Sequence, residues 1–396
     1  MSRGSRARAL AVTVTVVLTA LLAPASPAAA DPIDVPDSAT LTVEGDGSGH
    51  GMGLSQYGAY GAARAPHNLR SGQILDFYYP GTSTGRAAGK VKVWISGDDE
   101  RDLVVGGVRG LTVRNLATGR TWRAPANGAR QWRVRPNRAG DNVVSFRTRR
   151  WRTWRVVDGD VELSAGRRPL ALHTRAGTTR YRGTLRLVRF HRKRLTVNVV
   201  PMEHYLRGVV PAEMQAGWPQ QALRAQAVAA RTFAAHERGD GNRYYDLCDT
   251  AACQSYGGAS AEDRRSDDAV RATAGDILTY RGETAYAQYS ASNGGWTVAD
   301  DRYPYLVAQR DPHEGTSSDY YGWRRQVAAR VIERAYDIEN LTGIEVETGE
   351  GRGPRVETVW LESSTGWTGR VTGESFRRNF GLPSTLFEIA GVRSTG

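Results

Sequence analysis

The chain has 396 residues, with 53 Lys and Arg against 41 Asp and Glu, a formal charge of +12 and two cysteines. Two cysteines exclude a disulfide scaffold, the length allows about two or three domains, and the charge calls for anionic partners or a solvated basic surface. Nucleic acid is set aside as a partner, because no helix-turn-helix, zinc-finger or ribonucleoprotein signature is present.

In chain order, residues 1–30 begin with Arg3, Arg6 and Arg8, continue as the uncharged apolar run Ala9 to Ala23, and end in Ala28-Ala29-Ala30. This is the pattern of a secretory signal peptide. Its apolar run is shorter than the roughly 20 residues that span a bilayer, and no later run approaches that length. A secreted, soluble protein with no transmembrane segment after cleavage is expected. Loss of three arginines takes the charge from +12 to +9. Residues 31–87 are rich in glycine and aromatics. Across 88–200 the short runs VKVWI, LTVRNL, WRVRP, NVVSFRT, TWRVVD, LRLVRF and LTVNVV, separated by turn residues, predict an all-β region. It is strongly basic, as at Arg147, Arg149, Arg150, Arg152 and His191-Arg192-Lys193-Arg194. Beyond it, the pattern predicts helices at 203–207, 219–238, 266–274, 324–340 and 374–381. Strands are expected at ILTYRG and TAYAQYSAS, and a closing hairpin at VETVWLESS and GWTGRVTG. The class is α+β.

The stretch Pro201 to Arg238 contains the chemistry. Glu213 stands in Pro211-Ala212-Glu213-Met214, with no other acid within four residues, just ahead of Trp218, Pro219 and an alanine-rich helix. A lone acid on a short turn backed by a rigid helix suits a single general acid/base in a cleft; an ordinary exposed turn glutamate is the plainer alternative. Cys248 and Cys253 lie in CDTAAC. Outside the cytoplasm a local disulfide is the default. Tetrahedral zinc would need about two further ligands, and the nearest histidine, His236, is twelve residues upstream.

The ordered motifs GVVPAEMQAGWPQQALRAQAVAARTFA, CDTAACQSYGG, YSASNGGWT and YPYLVAQRDP, with SFRRNFGLPSTLFEIAG near the end, closely resemble the SpoIID/LytB family over roughly residues 195–392. The resemblance implies a mixed α/β core over 201–396 with an all-β inserted or N-terminal subdomain over 88–200. In the sporulation members a GHGxGxSQxGA signature follows that core. Here GHGMGLSQYGA occupies residues 49–59, which implies a circularly permuted arrangement in which 31–87 completes the core and 49–59 fold back beside Glu213. The resemblance also implies a wall-located peptidoglycan lytic transglycosylase that cleaves MurNAc–GlcNAc β-1,4 bonds to 1,6-anhydro ends, with Glu213 as general acid/base. The alternative is a non-catalytic, wall-binding enhancer of an amidase. Glycan strands are the expected partner, with anionic wall polymers or a partner amidase beside them. Candidate substrate-binding residues are His50, Ser55, Gln56, Tyr57, Arg231, Gln254, Tyr256, Ser292 and Asn293. For each, holding a tight loop is the alternative, and for Arg231 it is an ion pair with Glu203. No cofactor is expected. Family members that bind zinc commonly have His just before the second cysteine. Ala252 stands there, which favours a disulfide between Cys248 and Cys253 over zinc.

Overall fold

The computed structural model describes residues 32–98, 100–238, 244–315, 318–349 and 353–394. The leader expected at 1–30 lies outside the described residues. Among them the helices are α1 (Gln56–Ala62), α2 (Ser71–Tyr78), α3 (Met202–Glu213), α4 (Gln220–Glu237), α5 (Arg264–Ala272), α6 (Ala329–Tyr336) and α7 (Gly373–Asn379). Strands and helices are mixed throughout, an α+β arrangement.

The basic span folds into two sheets, because its runs alternate apolar with polar residues and so carry one buried face each. A seven-stranded sheet takes the order Leu247–Cys248, Lys90–Trp94, Lys193–Pro201, Thr184–Phe190, Val161–Ser164, Thr112–Asn115 and Thr121–Arg123. Only its first pair is parallel. A six-stranded antiparallel sheet takes the order Trp151–Val157, Asn142–Arg147, Gln131–Pro136, Leu103–Gly106, Leu170–Thr174 and Gly177–Tyr181. Val93, Val113, Leu163 and Leu187 of the first sheet share one apolar cluster with Val105, Trp132, Val134 and Leu172 of the second. The same cluster takes in Tyr205, Leu206 and Val209 of α3 and Leu223 and Val228 of α4. The β-rich span and the helices therefore share a core rather than form separate bodies.

α4 is buried on nearly every side, which suits a helix made mostly of apolar and small residues. Its alanines at 222, 225, 227, 229, 230 and 234 are inaccessible and let α2, α3, α5 and the strand Asp276–Tyr280 approach closely. A second cluster is distinct. The strand Ala39–Gly45 lies between Trp323–Ala328 and Phe387–Ser394, and Leu41, Val43, Val327, Ile332, Leu361 and Phe376 fill the space beneath. The stretch 201–396 thus contributes to two clusters, and the N-terminal segment crosses from the second to the first.

Three expectations change. The helix at 203–207 extends to Glu213. Residues 324–340 are not one helix: Trp323–Ala328 is extended, with Trp323 and Val327 buried and the arginines between exposed, and α6 starts at Ala329. The run has no Gly or Pro to stop a helix, but pairing with Ala39–Gly45 overrides propensity. Residues 284–292 are strand only at Glu283–Thr284 and Tyr289–Ser290. Between these, Tyr305 Oη accepts from Tyr286 N at 2.6 Å, and Gln288 O accepts from Tyr79 Oη at 2.6 Å.

Candidate active site

Glu213 is the last residue of α3, not part of a free turn. Pro211 lacks an amide donor and crowds the preceding turn. The helix ends two residues later, at an extended Met214 whose N–H still bonds Val210 O at 2.9 Å. The half-buried carboxylate is held on both oxygens: Ser255 N donates to Oε1 at 2.5 Å, and Gln56 Nε2 donates to Oε2 at 3.1 Å. Gln56 opens α1, so residues 49–59 lie beside Glu213 although 157 positions separate the two partners.

A cleft of about 320 Å³ opens at this carboxylate. Gly49, His50 and Gln56 form one wall, Ala251, Ala252 and Cys253 another, and Phe233, Tyr286 and Tyr289 an aromatic side. Glu213 is the one acid among the described residues that line it. His50 keeps an open surface toward solvent while protein atoms crowd around the ring at the foot of a concave site. Desolvation and then the Arg355 cation lower its pKa to about 4. Tyr289 presents a phenol pushed well above 10, first by desolvation and then by the charge of Glu213. Its hydroxyl makes no hydrogen bond of ordinary geometry among the described residues. Cys248 and Cys253 are joined by a disulfide with Cα atoms 5.5 Å apart. It closes the loop that carries Ala251 and Ala252 and leads directly to Ser255.

The glycines of the signature have a steric reason. Gly51 and Gly53 hold φ of +75° and +64°, and a Cβ would collide with the Arg355 guanidinium at the first and with Gln288 O at the second. Both clashes follow from close packing of this segment on the chain that leads into the cleft.

Of the candidate binding residues, His50 and Gln56 line the cleft. Tyr57 is half-buried, its ring edge-on to Trp218 at 5.0 Å, and Trp218 also packs on Tyr60 at 4.8 Å. The other six are buried and engaged within the chain. Ser55 caps α1 through Gly58 N and donates to Glu314 Oε2 at 2.5 Å. Ser292 donates to Glu314 Oε1. Asn293 donates through its amide to Glu314 Oε2 at 2.9 Å and through Nδ2 to Asp311 Oδ2 at 2.8 Å. Arg231 is fully enclosed and pairs with both Glu203 oxygens at 2.9 and 2.8 Å. Gln254 accepts from Tyr205 Oη at 2.9 Å and donates to Ala230 O at 3.2 Å. Tyr256 donates to Asn198 Oδ1 at 2.8 Å.

Sequence reasoning missed Phe233, Tyr286 and Tyr289 as cleft walls, and Glu314, Asp311 and Arg355 behind them. Tyr78 donates to Asp311 Oδ2 at 2.6 Å. Arg355, nearly inaccessible, donates to Gly49 O at 3.1 Å and to Asn293 O at 3.2 Å. Desolvation lowers its pKa to about 10. The AQRDP motif, which contains Asp311, was the one available signal for this polar knot.

Residues 191–280 match the model of the Stage II sporulation protein family, SpoIID. Over 133 residues, 32% of the chain, it is 41% identical to the amidase enhancer of Bacillus subtilis, covering 17% of that protein. Over 215 residues, 49% of the chain, it is 29% identical to stage II sporulation protein D of the same organism, covering 61% of it. The corresponding protein of Bacillus amyloliquefaciens is 26% identical over the same length. The chain thus spans less than two thirds of these relatives. The family model and the relatives together make about half of the chain SpoIID-like.

Proposed function

We propose that the chain is an exported, cell-wall-located lytic transglycosylase acting on peptidoglycan glycan strands. The observation that carries this is a single carboxylate, held by two donors at the end of a rigid helix, in a cleft lined by no second acid among the described residues. Glycoside hydrolysis needs a pair of carboxylates about 5–9.5 Å apart, one to protonate the leaving oxygen and one to activate water or attack the sugar. A transglycosylase needs one. Glu213, carrying a proton, gives it to the oxygen of the MurNAc–GlcNAc β-1,4 bond as the bond from C1 breaks. The 6-hydroxyl of the same muramic acid then attacks C1 and returns its proton to Glu213. The product is a 1,6-anhydro ring, and the enzyme is restored without water.

In this reading Gln56 and Ser255 N fix the carboxylate against the bond, and Phe233 and Tyr286 offer ring faces to the sugars. His50 supplies a neutral polar contact to hydroxyl or N-acetyl groups. The contact of Gln56 with Glu213 supports the permuted arrangement expected from the sequence. The likeness to an amidase enhancer supports a second reading, a non-catalytic wall protein that raises the activity of a partner amidase.

Digestion of purified glycan strands by the wild type and by Glu213→Ala, read by mass spectrometry, decides between them. Anhydro ends from the wild type alone uphold the first reading. Unmodified strands from both proteins favour the enhancer, and reducing ends would identify a hydrolase.

A further inference from the structure

We propose that a basic hollow at one end of the seven-stranded sheet binds an anionic glycan, as a second site next to the cleft. It goes beyond the reaction assigned to Glu213 and does not depend on it. The hollow measures about 550 Å³. Exposed Arg101, Arg189, Arg192 and Lys193 stand around it. Among the described residues, no side-chain hydrogen bond or ion pair engages Arg101, Arg192 or Lys193. The acids on its lining are already taken: Asp98 is buried and accepts from Thr196 Oγ1 at 2.6 Å, and Glu100 pairs with Arg175 at 3.0 Å. Among the described residues the hollow is left with a net excess of cations.

Two features of the hairpin that builds it work against its own stability. Arg189 stands directly opposite Arg194 in the ladder, a like-charge pairing that disfavours the hairpin. Arg194 is relieved only in part, by Asp160 at 3.3 Å. The turn is His191-Arg192, with His191 at φ 52°, where a two-residue turn favours glycine. Basic side chains therefore occupy places that stability alone would give to other residues. An aromatic wall adjoins them. Trp94 lines the hollow, its ring is 5.5 Å from that of Tyr245, and Phe190 packs on Tyr244, which is 49% exposed. Ring faces beside cations suit a polymer of sugars carrying carboxylates or phosphodiesters.

Two residues that line the hollow, Trp94 and Ser96, are tied to the disulfide loop that lines the cleft. Trp94 pairs with Cys248, and Ser96 donates through N and Oγ to Asp249 Oδ1 at 3.0 and 2.6 Å. On the other side, Ala251, Ala252 and Cys253 line the cleft. A wall polymer seated in the hollow would thus lie one short loop from Glu213.

The test uses Glu213→Gln protein, so that binding is read without cleavage. It is pelleted with purified wall sacculi, either intact or stripped of phosphate-linked polymers, beside the same protein carrying Arg189→Glu, Arg192→Glu and Lys193→Glu. Charge reversal is expected to weaken binding about tenfold with an unchanged circular dichroism spectrum. An Arg192→Lys, Lys193→Arg version should bind as the parent does, and added salt should release the parent. Loss on intact sacculi alone assigns the anion to the phosphodiester; loss on both assigns it to wall carboxylates; either upholds the proposal. Equal binding by the reversed and parent proteins overturns it, as does tighter binding of duplex DNA than of wall. Should the triple change unfold the protein, Arg192→Gln on the exposed turn takes its place, with an expected loss of about threefold.

Discussion

Ser55 and Gln56 are neighbours in one motif, yet each meets a different carboxylate. Gln56 turns to Glu213 at the cleft, and Ser55 turns inward to Glu314. Glu213 has two donors and an open side where a substrate can come. Glu314 is buried among Ser55, Ser292 and Asn293, and desolvation raises its pKa against the pull of those hydrogen bonds. One acid faces an open cleft and the other fastens three segments of the chain. Motif membership does not separate the two; the direction of the side chain does.

The largest effect should come from the acid itself. Glu213→Gln keeps shape and hydrogen-bonding capacity but cannot deliver a proton, so anhydro product should fall by about 10²–10⁴-fold, while the melting temperature barely moves. Gln56→Met removes one of the two donors on that carboxylate. A hydrogen bond to a charged group contributes about 1.5–3 kcal/mol, so kcat should drop about tenfold or more with the fold intact. Ser55→Ala is expected to do the opposite. It removes a helix cap and a donor to a buried acid, costing about 2 kcal/mol of stability, while the folded fraction keeps its kcat. Should Ser55→Ala lower kcat as strongly as Gln56→Met at matched stability, the division between the two sides fails. Cys248→Ser with Cys253→Ser loosens the loop that leads to Ser255. A few-fold loss of turnover, larger than the change in melting temperature implies, would place the disulfide on the cleft side.

The smallest effects are in pH. His50 resists protonation, so its contribution to stability is present above about 6.5 and is lost as pH falls toward about 4. Glu314 has a raised value, so its contribution is present below its ordinary 4.5 and is lost as pH rises through the folded value. Melting curves should show Glu314→Gln gaining on the wild type between pH 4.5 and 7, and His50→Gln losing less than the wild type between pH 6.5 and 4.

Much of this was legible in sequence. The strands of 88–200 follow from period-two alternation, α4 from Pro219 and an unbroken alanine-rich run, and the Glu213 candidate from its isolation among uncharged residues. The fold-back of 49–59 was expected from motif order. What escaped was long-range. Trp323–Ala328 is a strand because Ala39–Gly45 pairs with it, a partner nearly 280 positions away that no local window contains. Ser292 and Asn293 look like polar loop residues until Glu314 and Asp311 come up beneath them. Arg231 and Gln254 have the chemistry of a binding site, and only their enclosure assigns them to the core.

The reach of Arg355 back to Gly49 spans 306 positions, and the strand before the signature is held by Phe387–Ser394. A ribosome releases residues 49–59 long before it makes the partners that hold them. Until those late residues emerge, the early segment has nothing to close against, and contacts so distant in the chain form slowly. An unfinished chain is thus expected to lack an assembled cleft.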